Sequence, residues 1–196
     1  MSEFKTAEWA KKETDPQPPT DDVTRALPHA VGPEKSVLST MLQDPQEYID
    51  LAIANNITAE HFYLPNHSVL FEVLLELHSE NKEIELVSLV QILLNAGKLA
   101  SVGGPAYLTE IYTYSPSSGT FLQHLEHVKG KHVLRALVRA ANTTVAEVFE
   151  NPEDPDSVCD AAERAIMAIR EARQDPNAKT IDDDIRELTK ELEQEL

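Results

Sequence analysis

The chain has 196 residues, 41% of them hydrophobic, and a formal net charge of −17. That is enough to bury one or two small cores, and the acidity excludes a surface that binds nucleic acid as a whole, because phosphate contacts need Lys and Arg. No apolar run approaches the ~18 residues that span a bilayer, the first residues contain no apolar signal core, and the single cysteine, Cys159, excludes an intrachain disulfide, so a reducing cytoplasmic setting is expected.

Residues 1–26 are polar, with Pro16, Pro18 and Pro19 close together, and read as a disordered arm. Trp9 is either a short docking anchor or incidental to a mobile tail. From Leu27 a helical pattern begins. "PEKSVLSTML" starts with Pro33, which suits a first helical position, and Val37, Leu38, Met41 and Leu42 share one face. Asp44-Pro45 ends that helix and opens "PQEYIDLAIANN". Thr58 is placed to cap a short helix, "AEHFY". "PNHSVLFEVLLELHSEN" carries Leu70, Leu74 and Leu77 on one stripe, with Phe71 and Leu75 beside it, a surface wide enough for a core. "ELVSLVQILLNAGKL" ends at Gly97, suited to a left-handed C-cap.

"SVGGPAYL" follows, and Pro105 fits the first turn of "AYLTEIYTY". Its glycines suit a helix-to-helix turn or a weak anion site at a helix N-terminus. A phosphate loop would need G-x-x-x-x-G-K-[ST]; Gly97-Lys98 and Gly130-Lys131 both fail that pattern. After Gly119 a long helical region runs to about Phe149. An interruption near Gly130 would make it two antiparallel helices, with "NPEDPDS" closing the hairpin and "VCDAAERAIMAIREA" adding a further helix. Leu134, Leu137, Val138, Ala141 and Val145 form its apolar face. No acid lies between Val128 and Ala146, and Lys131, Arg135 and Arg139 share a face at i, i+4 and i+8. That strip is either a solvated face or a contact for an acidic partner or DNA phosphates.

"RQDPNAKT" reads as a linker to "IDDDIRELTKELEQEL", where Ile181, Ile185, Leu188, Leu192 and Leu196 make a narrow stripe. A lone helix of this length is marginal in water, so its stripe should dock on its own chain or on a neighbouring subunit. His124 and His127 share a helical face at i, i+3 with His132 following, a weak signal for zinc with no partner thiol for Cys159, and they read as surface or hairpin-packing histidines; Glu60, His61 and Glu72 are not placed in a cleft by any pattern. No catalytic, cofactor-binding or metal-ligating residue is nominated. The expected fold is all-α: a bundle over 27–116, a protruding antiparallel hairpin and following helix over 117–174, and a linker helix over 175–196.

Three segments resemble DnaB-type replicative DNA helicases. "LPHAVGPEKSVLSTML" is similar to that family's L-P-x-[ND]-x-E-A-E-x-[SA]-[VL]-L-G-x-[ML]-like start, "ITAEHFYLPNHSVLFEVLLEL" to its D-F-Y-x-x-x-H-x-x-I-F segment, and "IELVSLVQILLNAGKLASVGGPAYLTEI" to its I-D-x-V-T…G-G-x-x-Y-L segment. Gly32 and Pro33 stand where the family favours acidic and small residues, and Ser39-Thr40 replaces a glycine-containing pair. The resemblance implies a helical bundle and a hairpin that pairs between subunits in a collar receiving primase, with DNA contact indirect at most. It also implies a linker helix that packs on an adjacent subunit's ATPase domain. ATP and Mg are expected in that domain, outside this chain. A free-standing adaptor or inhibitor of a helicase or primase is the alternative.

Overall fold

The computed structural model describes residues 26–114, 117–150 and 153–173, and they are all-α, with no strand among them. Among the described residues seven α-helices follow in order: α1 (Val31–Gln43), α2 (Pro45–Ala54), α3 (Pro65–Ser79), α4 (Leu86–Asn95), α5 (Gly104–Thr113), α6 (Phe121–Glu150) and α7 (Pro155–Arg173). Short 3-10 turns, Ala59–His61 and Ser118–Thr120, precede α3 and α6. Residues 1–25, with Trp9, and the stripe Ile181, Ile185, Leu188, Leu192 and Leu196 lie outside the described residues.

α1 is the central helix, contacting α2, α3, α5 and α6. Val37, Leu38, Met41 and Leu42 are buried, as their spacing predicts. Being surrounded, α1 also buries Glu34, Ser36, Ser39 and Thr40. α1 begins two residues before Pro33, which costs nothing because N–H groups of the first turn have no intrahelical partner. Asp44 caps α2, its Oδ1 accepting from Glu47 N–H, with Pro45 in the first turn. Leu70, Phe71, Leu74 and Leu77 of α3 complete the core with Leu89 and Leu93 of α4 and Leu108 and Ile111 of α5.

α6 corrects the expected hairpin. It runs unbroken through Gly130 for 30 residues, about 45 Å at 1.5 Å per residue. A single glycine costs a helix only ~1 kcal/mol, too little to break one held at both ends by packing. The hairpin is therefore α6 against α7, which pack together. Nor does the bundle end before α6: Phe121, Leu125 and Val128 belong to its core. The boundary between bundle and hairpin falls inside one helix.

Nothing lies within 4 Å of a Cβ built at Gly130. Gly130→Ala should therefore stabilise the protein by about 0.5–1 kcal/mol, read as a rise in the thermal unfolding midpoint. A fall would mean that α6 bends there in the folded protein.

Candidate functional site

A buried polar seam runs from α5 to α6 across the bundle. It begins at Glu34, 1% exposed, in the first turn of α1. Its Oε1 accepts the Tyr63 N–H at 2.8 Å and its Oε2 the Leu64 N–H at 3.4 Å. These amides belong to the chain entering α3, where backbone donors have no helical partner. The fully buried His67 of α3 stands 2.7 Å from Glu34 Oε2 through Nδ1 and 2.8 Å from the Tyr107 hydroxyl through Nε2. The carboxylate thus takes the Nδ1 side of the ring and the Tyr107 hydroxyl the Nε2 side, so both ring nitrogens have a partner.

The glycine pair explains how Tyr107 arrives there. Gly103 caps α5 at φ +94, and a Cβ on it would meet the Cβ, Cγ and Cδ1 of Tyr107 at 3.0 Å. Glycine thus supplies both the left-handed turn and the space for the ring. The expected helix-to-helix turn is present, and it serves to aim a tyrosine at a buried histidine.

Arg135 is the largest correction to the sequence reading. The i, i+4, i+8 spacing puts it on a solvent- or partner-facing strip. In the structure it is 2% exposed. Its Nη1–H donates to Pro28 O at 3.2 Å, and its Nη2 donates to Glu60 O at 3.4 Å and His61 O at 2.6 Å. Its guanidinium lies 5.9 Å from the Tyr63 ring centroid. Burial lowers its pKa from the ordinary arginine value, while the charge of Glu34 opposes that. Arg135 is therefore unavailable to a partner. Arg139, one turn on, is exposed, and a salt-sensitive contact test belongs there.

His132 also turns inward, its Nδ1–H donating to Glu60 O at 2.9 Å. Its ring lies 4.4 Å, centroid to centroid, from that of His61. His61 Nδ1 accepts the Thr58 N–H at 3.0 Å. Burial, with repulsion from His132, Lys129 and Arg135, lowers the His61 pKa to about 4. The ordinary histidine value is ~6.5, so the unfolded chain takes up a proton before the fold does. The stability due to neutral His61 is complete above pH ~6.5 and is lost as pH falls from there to about 4. Screening at a partly exposed ring limits the loss to about 1–2 kcal/mol. Urea titrations across this range should show it in the native chain and not in His61→Gln. Equal pH slopes would refute it.

Glu60, His61, Glu126, Lys129 and His132 border a cleft of about 740 Å³ between the 59–61 turn, α6 and α7. Glu72 does not; it is exposed on α3. His124 and His127 lie about two turns and one turn, respectively, before His132 on α6, and among the described residues no group of three or more His, Cys, Asp or Glu is arranged to hold a metal ion.

The remaining face of the hairpin is apolar and open. Leu134, Leu137 and Val145 are exposed, with Ala141 beside them, and Val138 is half-buried. The structure adds residues the sequence reading passed over: Val148 and Phe149 on α6, and Ile166 and Met167 on α7, all at least half exposed. Among the described residues no helix is long and apolar enough to cross a membrane.

The family of DnaB-like helicase N-terminal domains matches residues 26–130, more than half of the chain. The chain belongs to this family. Its helical bundle is also the one found in the N-terminal domain of DnaB helicase from Mycobacterium tuberculosis, with a TM-score of 0.66 at 25% identity, covering 73% of this chain and 99% of that one. A second similar structure, of a DnaB-like replicative helicase and its interactions with primase, has a TM-score of 0.58 at 25% identity, over 83% of this chain and 36% of that one. Among curated relatives, the replicative DNA helicases DnaB of Pasteurella multocida and Haemophilus influenzae are 30% and 32% identical over 151 and 148 residues, or 76% and 74% of this chain. This DnaB-like chain spans about a third of the length of those relatives, 32% and 31%.

The family resemblance and the seam coincide. Glu34, His67 and Tyr107 each come from a different one of the three resembling segments. Those separated letters meet as one hydrogen-bonded chain inside the domain.

Proposed function

We propose that this chain is the collar and linker region of a replicative DNA helicase, joining subunits through its hairpin and receiving primase during DNA replication. The observation that supports it most is the α6–α7 hairpin, which carries an exposed apolar face although the bundle has a complete core of its own. Apolar patches of this kind on a soluble domain mark surfaces that meet other proteins. Leu134, Leu137, Ala141, Val145 and the tip residue Phe149 would face a second copy, with Arg139 at the rim. Primase is proposed because a similar structure is that of a helicase with its interactions with primase. Ile181, Ile185, Leu188 and Leu192 would dock on the ATPase domain of a neighbouring subunit. ATP and Mg would act in that domain, and DNA contact by this chain would be indirect.

Light scattering with and without primase tests the reading. An oligomer that gains mass with primase is expected; a strict monomer that ignores primase overturns it. Leu137→Glu combined with Val145→Glu should weaken self-association by about a hundredfold, or ~2.7 kcal/mol, with an unchanged far-UV spectrum. Unaltered association at the same helicity would move the interface elsewhere.

A further inference from the structure

We propose that α6 is a latched hinge, pivoting at Gly130 and held at its observed angle by the bonds of His132 and Arg135 to the chain around Pro28 and Glu60–His61. Four observations converge on it, and none depends on the collar reading.

The first is where the anchors stop. Phe121, Leu125 and Val128 tie the start of α6 into the core. The next residue to be buried is Arg135, beyond Gly130. The second is Gly130 itself. It sits in mid-helix with open space where a Cβ would be, so packing does not require a glycine there. Glycine leaves the local backbone freer to bend than any other residue does.

The third is the character of the attachment after the pivot. His132 and Arg135 hold the bundle by side-chain bonds to the carbonyl oxygens of Pro28, Glu60 and His61. Such bonds break one by one, whereas an interdigitated apolar contact must separate as a unit. The fourth is room to move. Beside Gly130 lies the 740 Å³ cleft, walled on the hairpin side by Ala136, Ala168, Ile169 and Ala172 and across from them by Asn55 and Asn56. A hairpin released from its latch can swing into that space without displacing the core.

The lever is long. The 20 residues of α6 beyond Gly130 extend about 30 Å, so a bend of ~15° carries the tip roughly 8 Å. A surface at the hairpin end would be re-aimed while the bundle stayed unchanged.

The chain supplies one of the two labels needed to test this. Cys159, its single cysteine, is exposed near the start of α7, and Ser88→Cys on the exposed face of α4 provides a bundle reference. Pulsed EPR distances would be measured on the full chain, diluted with unlabelled protein so that only distances within one molecule count. The parent should give one narrow distribution. Arg135→Met should lose that single peak and gain a population displaced by several ångströms, at unchanged helicity. Adding Gly130→Ala should cut the displaced population about fivefold, the ~1 kcal/mol difference between glycine and alanine in a helix expressed as a ratio. An Arg135→Met distribution identical to the parent overturns the latch. Broadening that Gly130→Ala leaves undiminished overturns the pivot. If Arg135→Met does not fold, His132→Ala removes that residue's Glu60 bond and its ring contact with His61, leaves Arg135 in place, and is read by the same outcomes.

Discussion

Replacing Glu34 by alanine should destabilise the protein by about 3–5 kcal/mol, the largest effect expected of any single substitution here. The carboxylate is buried and accepts from Tyr63 N–H, Leu64 N–H and His67. Alanine leaves those donors without their acceptor where water cannot replace it. An unpaired buried polar group costs ~1–3 kcal/mol, and here several lose their partner together. Glu34→Gln should recover part of the loss, because its amide oxygen can still accept one of the two N–H bonds. The measurement is urea unfolding by circular dichroism. A cost below ~1 kcal/mol for Glu34→Ala would mean that the seam is not a coupled unit. A double-mutant cycle with His67→Ala apportions the effect: if the pair is coupled, the double variant loses less than the two single losses added together.

Arg135→Met should cost about 3 kcal/mol, since methionine keeps much of the side-chain bulk and forfeits every bond. The guanidinium ties the hairpin helix to two stretches of chain distant in sequence, around Pro28 and at Glu60–His61. Bonds to a charged donor are stronger than neutral ones, and Pro28 O, Glu60 O and His61 O lose theirs together, Glu60 O keeping the bond from His132. Arg135→Lys should recover only part of it, because an ammonium cannot present the fixed fork of the guanidinium. Unfolding monitored alongside limited proteolysis would separate two results. Global destabilisation with faster cleavage of the 26–30 segment and the 58–62 turn supports the clamp. Stability within ~0.5 kcal/mol of the parent would show that apolar contacts along α6 hold the hairpin by themselves.

Local chemistry made much of the fold legible. Asp44-Pro45, Thr58 and Leu64-Pro65 mark helix entries, and Gly97 marks an exit at φ +67, because capping and proline geometry act within a few residues. The stripe Val37, Leu38, Met41 and Leu42 was equally readable, since a repeat near 3.6 residues reports one face whatever covers it. Gly130 marks the limit of such signals. It reads as a break, yet packing on both sides outweighs its ~1 kcal/mol helix penalty.

Arg135 and the seam lay beyond that reach. On the helix surface Arg135 shares its row with Lys131 and Arg139, and only the arrival of Pro28 and Glu60–His61 over that row buries it. Glu34, His67 and Tyr107 stand 33 and 40 residues apart. Each was present in the family-like segments, but no spacing rule states that they touch. Periodicity and caps are properties of one element, and they determined that this chain is helical, where most helices begin and which faces are apolar. Which polar residue is buried, and against which carbonyl or ring, depends on how elements distant in sequence come together, and the tertiary structure alone decided that.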